Sequence, residues 1–351
     1  MKRITWTGII ASLFLLLLGS TSASAFDKVK FAFISDLHIS LPEQKGIKDG
    51  YKLGLKTVLL TENTVAELNK IPDLDFVLVG GDLTNDAEPW NMDACRRILD
   101  GLQVPYFVVL GNHDVSLVPH EEKEQPVGLS KYAATGMFIG RSGGMEPGMS
   151  YYAHEVAKGL VLIGLDSIKQ QVFLPEIKTN EFGGSIDPGQ MRWLESVLQQ
   201  HQGKTIMVLI HHGLASWSEG EKNNYHGWGR FRLDNAAELG ALLKKYGVRL
   251  VFSGHRHIST RQQLADGIYH FVSPALATYP MRYTVYDMTP GALSWEVKNV
   301  SAPAEVWDLA KKNFLADSWW RGLDHSDTPE GNKKYQEFYE GTEMKGSVTW
   351  Q

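Results

Sequence analysis

The 351-residue chain contains a single cysteine, Cys95, so it can form no disulfide within itself and can hold no zinc through a cysteine cluster. Any metal must be bound by His, Asp, Glu or Asn. It lacks a long Lys/Arg tract, and its 35 Lys+Arg against 40 Asp+Glu give a formal charge of −5. That balance excludes a protein whose main task is to grip nucleic acid by its phosphates, and no stable nucleic-acid partner is expected. Beyond residue 25 there is no apolar run near the roughly 20 residues a transmembrane helix needs, and internal repeats and low-complexity tracts are absent too. An apolar fraction of 43% places the chain among ordinary globular proteins. Cys95 itself lies in the helical pattern Met92 to Leu99 and reads as a buried structural thiol.

The first 25 residues stand apart. Lys2 and Arg3 precede the apolar stretch Ile9 to Leu18, followed by Gly19, Ser20 and the small-residue run Ala23-Ser24-Ala25. This is the pattern of a secretory signal peptide cut after Ala25, and it predicts a periplasmic or secreted protein with no transmembrane span after cleavage. The expected organisation is a signal peptide over 1–25, one catalytic domain over 26–307, and a C-terminal extension over 308–351 that packs on the core through Trp319, Trp320, Tyr335, Phe338 and Tyr339. Nothing in the sequence speaks to oligomeric state.

Short runs dense in Val, Ile, Leu and Phe alternate with amphipathic windows. Val29–Ile34, Phe76–Val79, Tyr106–Leu110, Leu160–Leu165, Thr205–Ile210 and Arg249–Phe252 read as buried strands; windows near 51–70, 91–102, 188–200 and 234–246 read as helices. Asp187-Pro188 supplies an N-cap and a first-turn proline, and Gly247 closes the last window. The alternation predicts an α/β core. The later pieces Tyr269–Val272 and Tyr283–Val297, interrupted by Thr289-Pro290-Gly291, suggest a second, mostly antiparallel sheet.

The informative residues follow the strands. Asp36 and His38 come after the first, Gly81-Asp82 after the second, Gly111-Asn112-His113-Asp114 after the third, His211-His212 after Thr205–Ile210, and Gly254-His255-Arg256-His257 after Arg249–Phe252. Six of the 12 histidines fall in these five short segments. Carboxyl ends of strands in an open α/β sheet share one edge, so groups more than 200 residues apart are expected to converge. Asp-x-His and His-x-His direct two side chains to the same side of an extended segment, and glycines before Asp82, Asn112 and His255 allow tight turns beneath a bound ion. Imidazoles with a few carboxylates suit divalent ions such as Mn, Fe or Zn, and a pair of ions needs a carboxylate able to bridge them. With Asp36 and Asp82 the only carboxylates among these ligands, a two-ion site keeps net positive charge and attracts phosphate. His120, His154, His201, His226, His270 and His325 read as structural or solvated, the segment Trp217–Arg232 as a candidate substrate wall, and Arg141–Gly144 as a turn.

The ordered set D-x-H, G-D, G-N-H-D, H and G-H-x-H resembles the calcineurin-like metallophosphoesterase superfamily over roughly residues 29 to 280. The resemblance implies a four-layer αββα sandwich, with two mixed β-sheets flanked by helices, and a centre of two divalent metals. Carried over by motif, it implies Asp36, His38 and His257 at one metal, Asp82 as the bridge, and Asn112, His211 and His255 at the other. His212 beside His211 leaves that assignment open to exchange. His113 resembles the non-ligand histidine that stabilises the transition state or protonates the leaving oxygen, with Asp114 as its expected orienter. The implied reaction is attack on phosphorus by a hydroxide held between the metals. Purple acid phosphatases carry a Tyr ligand three residues after the bridging Asp; Asn85 stands there, which argues against a tyrosinate-bound ferric site. The Gly81–Asp86 run is closer to the cyclic-nucleotide and glycerophosphodiester phosphodiesterases. Small-molecule or lipid-derived phosphodiesters are the expected substrates, with a nucleotidase-like phosphomonoesterase or a metal-containing binding module as alternatives.

Overall fold

In the computed structural model the described residues are 26–43, 46–116, 128–139, 148–176, 179–317, 329–341 and 343–350. The expected signal peptide, Arg141–Gly144, and Trp319 and Trp320 lie outside them, as do His120 and His325. The chain runs through β1 (Val29–Ile34), α1 (Thr57–Leu68), β2 (Phe76–Val79), α2 (Pro89–Leu99), β3 (Tyr106–Val108), α3 (Lys131–Gly136), β4 (Tyr152–Ala157) and β5 (Leu160–Leu165). A short ladder of β6 (Phe173–Leu174) and β7 (Thr179–Asn180) follows, then α4 (Pro188–Gln200), β8 (Thr205–Ile210), α5 (Glu219–Lys222), α6 (Ala236–Lys245) and β9 (Leu250–Ser253). The last elements are β10 (Thr260–Gln263), β11 (Tyr269–Val272), β12 (Arg282–Thr289), β13 (Ala292–Asn299), α7 (Ala304–Ala316), α8 (Pro329–Glu340) and β14 (Lys345–Thr349).

Two six-stranded mixed sheets carry the fold, ordered β14-β13-β12-β1-β2-β3 and β10-β11-β9-β8-β5-β4. Period-2 alternation sends the two faces of each strand to different cores. On β5 and β8, Leu160, Leu162, Met207 and Leu209 point into the core shared with Phe31 and Phe33 of the other sheet. Val161, Ile163, Ile206 and Val208 instead pack on Leu194 and Leu198 of α4 and Leu239 and Leu243 of α6. Both faces are therefore apolar, which is why these strands read as unbroken hydrophobic runs. Helices α1 and α2 cover the outer face of the first sheet through Leu60, Leu68, Met92, Cys95 and Leu99, giving the four layers αββα. Between the sheets Phe252 meets Phe31, Phe33 and Tyr286 edge-on at ring-centroid distances of 5.5, 5.8 and 5.3 Å.

Local chemistry sets the element ends. Asp187 caps α4 by accepting from Gly189 N and Gln190 N. The threonines on the buried face of α1 satisfy themselves, Thr61 and Thr64 donating to the carbonyls of Thr57 and Leu60 at 2.8 and 2.7 Å. No helix among the described residues is long and apolar enough to cross a membrane.

The C-terminal strands do not build a sheet of their own. β11 lies in the second sheet, parallel to β9, whereas β12 returns to the free edge of β1 and pairs antiparallel with it, followed by β13 and β14. The Thr289–Gly291 break is the hairpin turn between β12 and β13, with Gly291 at φ +81°. Sequence spacing could not reveal this because β1 sits over 250 residues upstream of its partner. The boundary expected after residue 307 falls inside α7, and β14 is hydrogen-bonded into the first sheet.

Candidate metal centre

The five strand ends meet where the two sheets face each other: β1, β2 and β3 deliver theirs from the first sheet, β8 and β9 from the second. The loops after β1 and β2 stay zipped beyond the strands, with Asp36 N donating to Gly81 O at 3.0 Å and His38 N to Asp82 O at 2.9 Å. Across the sheets, the Asp36 carboxylate accepts the His255 backbone N–H at 3.1 Å.

This joining requires an unusual backbone. Asp36, His38, Asp82, His255 and His257 all have φ between 45° and 65°, the left-handed region that disfavours residues bearing a Cβ. Strain of this kind, about 1–3 kcal/mol per residue, persists only where the surroundings over-determine it. Two glycines act through space rather than turning. Gly111 has φ −104°, yet a Cβ there would collide with Asp82, and one at Gly254 would collide with Ser35 Oγ and Asp36. Of the three glycines expected to turn beneath the ion, Gly81 does so, at φ +93°.

The side chains gather into two buried groups, one of Asp36, His38, Asp82 and His257 and one of His211, His212 and His255; within each, potential ligand atoms lie within 4.8 Å of one another. Asp82 touches both: its Oδ2 is 3.6 Å from His38 Nε2 and its Oδ1 is 3.3 Å from His211 Nε2. His257 Nε2 lies 3.1 Å from Asp36 Oδ1, and His211 Nε2 lies 3.3 Å from Asn112 Oδ1. His255 Nε2 is a buried nitrogen with no hydrogen-bond partner, an arrangement that a protein tolerates where an ion supplies the missing bond.

The two neighbouring histidines separate by their partners. His211 donates from Nδ1 to Gly80 O at 2.7 Å, which aims Nε2 at Asp82 and Asn112 in the manner of an outer hydrogen bond orienting a ligand. His212 spends both ring nitrogens on the protein, Nδ1 against Ser167 Oγ at 2.8 Å and Nε2 on Phe182 O at 2.9 Å. His212 lies in the second group by proximity, with both ring nitrogens facing protein partners rather than Asp82 or Asn112.

Charge states favour cation binding, since ligands must be deprotonated to coordinate. Burial opposes ionisation of Asp82, but His211 and His113 beside it hold its carboxyl well below the usual range. Burial keeps His38 and His255 neutral by lowering both well below the ordinary imidazole value. His211 is the exception: burial works to lower it, the adjacent Asp82 overrides this and raises it to about 9, and an incoming cation must displace that proton.

His113 stands at the open side, its side chain 31% exposed, with its ring 4.9 Å from that of His38. Its backbone N–H donates to Asp82 Oδ1 at 3.0 Å. Asp114 is not its orienter. The Asp114 carboxylate turns inward to accept from Gly111 N and Thr84 N, and burial, reinforced by the charge of Asp82, raises it to about 6. On the tight 3-10 turn Asn112–Asp114 consecutive side chains diverge, so the ring is oriented instead by its neighbours across the loop: Nδ1 meets Asn85 O, with Asp86 Oδ1 3.7 Å away. Two residues without a sequence signal complete the rim. Tyr51 lies parallel to the His257 ring at 6.0 Å, and Lys52 Nζ reaches His113 Nε2 at 3.2 Å. Both belong to the loop before α1, where no strand end or motif spacing marks them.

On the other side, the segment Trp217–Arg232 does approach the site: Phe231 lies 5.3 Å from the His255 ring and packs with Phe182 and Trp228. Arg230 is held by Glu181 at 2.7 Å. A cavity of about 1130 Å³ opens beyond this segment between Lys169, Arg232 and Asp266, and none of the seven candidate ligands lines it.

The match to known proteins agrees with this geometry. Residues 29–259 fit the calcineurin-like phosphoesterase family model. A 3′,5′-cyclic-nucleotide phosphodiesterase from Nostoc sp. is 23% identical over 253 residues, covering 70% of this chain and 78% of that protein. A serine/threonine-protein phosphatase from Mus musculus is 27% identical over 213 residues, covering 57% of this chain and 59% of that protein, less than two thirds of its length. Among solved structures, a dimetal phosphatase from Danio rerio superposes with a TM-score of 0.58 at 14% identity, over 78% of this chain and 96% of that one, which establishes the shared fold. The chain belongs to the calcineurin-like phosphoesterase family: it is a hydrolase of phosphoester bonds whose cofactors are two divalent metal ions.

Proposed function

We propose that the chain is an exported phosphodiesterase that hydrolyses small or lipid-derived phosphodiesters, with Asp36, His38 and His257 holding one ion, Asn112, His211 and His255 the other, and Asp82 between them. The observation that carries this reading is the Asp82 carboxylate, whose two oxygens face the two histidine groups at 3.6 and 3.3 Å. Bound there, the ions would supply Lewis-acid neutralisation of phosphate oxygens and an activated water. The protein's part is to fix that geometry in advance, through strained ligand loops and the backbone donors that orient Asp36 and Asp82. His113 stands where it can assist the departing oxygen. Preference for diesters is supported by the Nostoc relative's activity, and export by the Lys2-Arg3, Ile9–Leu18 and Ala23-Ser24-Ala25 pattern.

The test uses residues 26–351 with and without Mn²⁺, comparing bis-(nitrophenyl) phosphate with nitrophenyl phosphate. Metal-dependent diester preference is expected, lost in Asp82→Asn. His113→Ala is expected to keep both metals and lose about 10²-fold or more in turnover; loss of metal in that variant would refute its assigned place. A preference for the monoester would make the protein a phosphatase. Export is checked separately by sequencing the mature N-terminus, which should begin at Phe26.

A further inference from the structure

The ring of Phe182 belongs to neither of the two large cores. With Trp228 and Phe231 it makes a separate cluster on the His255 side of the centre, in which those two rings are buried and Phe182 is partly exposed. Its ring centroid lies 5.1 Å from that of Phe231 and 6.4 Å from that of His255. The backbone that carries it is pinned on both sides: Glu181 N donates to Val172 O at 2.7 Å, Gly183 N to Glu181 Oε1 at 2.8 Å, and Asp234 N to Gly184 O at 2.9 Å. The Glu181 carboxylate also holds Arg230, which ties this loop to the segment bearing Trp228 and Phe231. An aromatic face is thus set beside one ligand group before substrate arrives, with part of its apolar surface left to water.

The exposed part of this cluster is one ring wide. Phe182 is its single partly exposed member, and its neighbours in the chain are Gly183 and Glu181, whose carboxylate is engaged by Lys169 and Arg230. A long acyl chain needs an extended apolar channel, whereas a flat ring needs one face of its own size. His113 stands by the other ligand group, its ring 4.9 Å from that of His38. A diester arm that departs with help from His113 lies on that side, which leaves the arm kept on phosphorus to the side of His255 and Phe182. We propose that Phe182 determines specificity by stacking a planar ring carried on the arm that stays on phosphorus, so that the centre favours ring-bearing diesters over alkyl or acyl ones of equal charge. The proposal rests on the phosphodiesterase reading of the same centre and leaves the places of His113 and the metal ligands as they are.

Stacking separates from chemistry when the leaving group is held constant. The experiment measures kcat and KM of wild type, Phe182→Leu and Phe182→Trp with Mn²⁺ on two diesters that both release nitrophenol, one whose retained arm is thymidine and one whose retained arm is ethyl. Metal content of each protein is determined by elemental analysis. Wild type is expected to prefer the thymidine ester. Phe182→Leu keeps apolar bulk but not the flat face, so it should lose about 5- to 100-fold in kcat/KM on that ester, chiefly through KM, and less than about twofold on the ethyl ester. Phe182→Trp should keep the preference, and all three proteins should hold both metals. As a binding readout, the Ki of thymidine monophosphate should rise in Phe182→Leu by the same factor while that of inorganic phosphate stays unchanged. Equal losses on both esters, or loss of metal from Phe182→Leu, would make the ring a prop for His255 and overturn the assignment, as would a wild type with no preference for the thymidine ester. Failure of wild type to turn over either ester with metal would instead sink the phosphodiesterase reading on which the proposal rests.

Discussion

His270 shows at a single position how burial sets a titration without any metal. It is fully buried on β11, its Nε2 lies 2.8 Å from Ser253 Oγ, and burial lowers it to about 3. Between that value and the ordinary imidazole value of about 6.5 the unfolded chain binds a proton that the folded chain refuses. Stability is therefore fully present above pH 6.5 and falls as the pH drops toward 3, by at most about 1.4 kcal/mol per pH unit from this group. His270→Gln removes that dependence. Urea titrations at pH 7, 6, 5 and 4 should show the stability gap between wild type and variant closing as the pH falls, and a constant gap would show that His270 does not titrate in this way. The residue was legible only as structural or solvated: a histidine in a β-rich run announces burial, and its partner Ser253 lies on another strand.

Among the elements, the loop carrying His255 and His257 depends on two distant segments. Arg256, between them, is buried; it pairs with Glu221 on α5 and with the Tyr339 hydroxyl on α8, and lies 5.3 Å from the Phe231 ring centroid. A buried charge that loses its partner is destabilising by about 3–5 kcal/mol. Glu221→Gln, which keeps the shape and removes the charge, should lower unfolding free energy by an amount of this order in urea titration and weaken metal retention on dialysis. A loss below about 1 kcal/mol would mean that the pair is dispensable. In the C-terminal segment Tyr339 is fully buried, and β14 adds an edge strand that no periodicity in Lys345–Thr349 revealed. Most strands and helices were legible because apolar runs and caps act locally. Pairing partners were not, since sheet order is decided by which edge remains free.

On the scale of the molecule, the candidate ligands come from both sheets, so bound ions would fasten one half of the sandwich to the other. Ligand that binds only the folded state contributes about 2.7 kcal/mol at a hundred times its Kd. Chelation is accordingly expected to lower the melting temperature by on the order of 5 °C or more, with Mn²⁺ restoring it, and Asp82→Asn should melt at one temperature under both conditions. An unchanged melting temperature in wild type would separate the ions from the fold. The seven candidate ligands could be singled out together because strand ends in this architecture converge whatever their distance in sequence. Lys52 could not, because its place depends on a loop folded back over the site. The left-handed backbone at Asp36, His38, Asp82, His255 and His257 also has a historical reading. At these positions glycine is the residue that folding alone would choose, so every generation that keeps Asp or His there does so against local conformational preference. A descendant released from metal chemistry should drift to glycine or asparagine at these five sites first, becoming more stable as it falls silent, and such replacements would mark lost catalysis in a sequence before any assay is run.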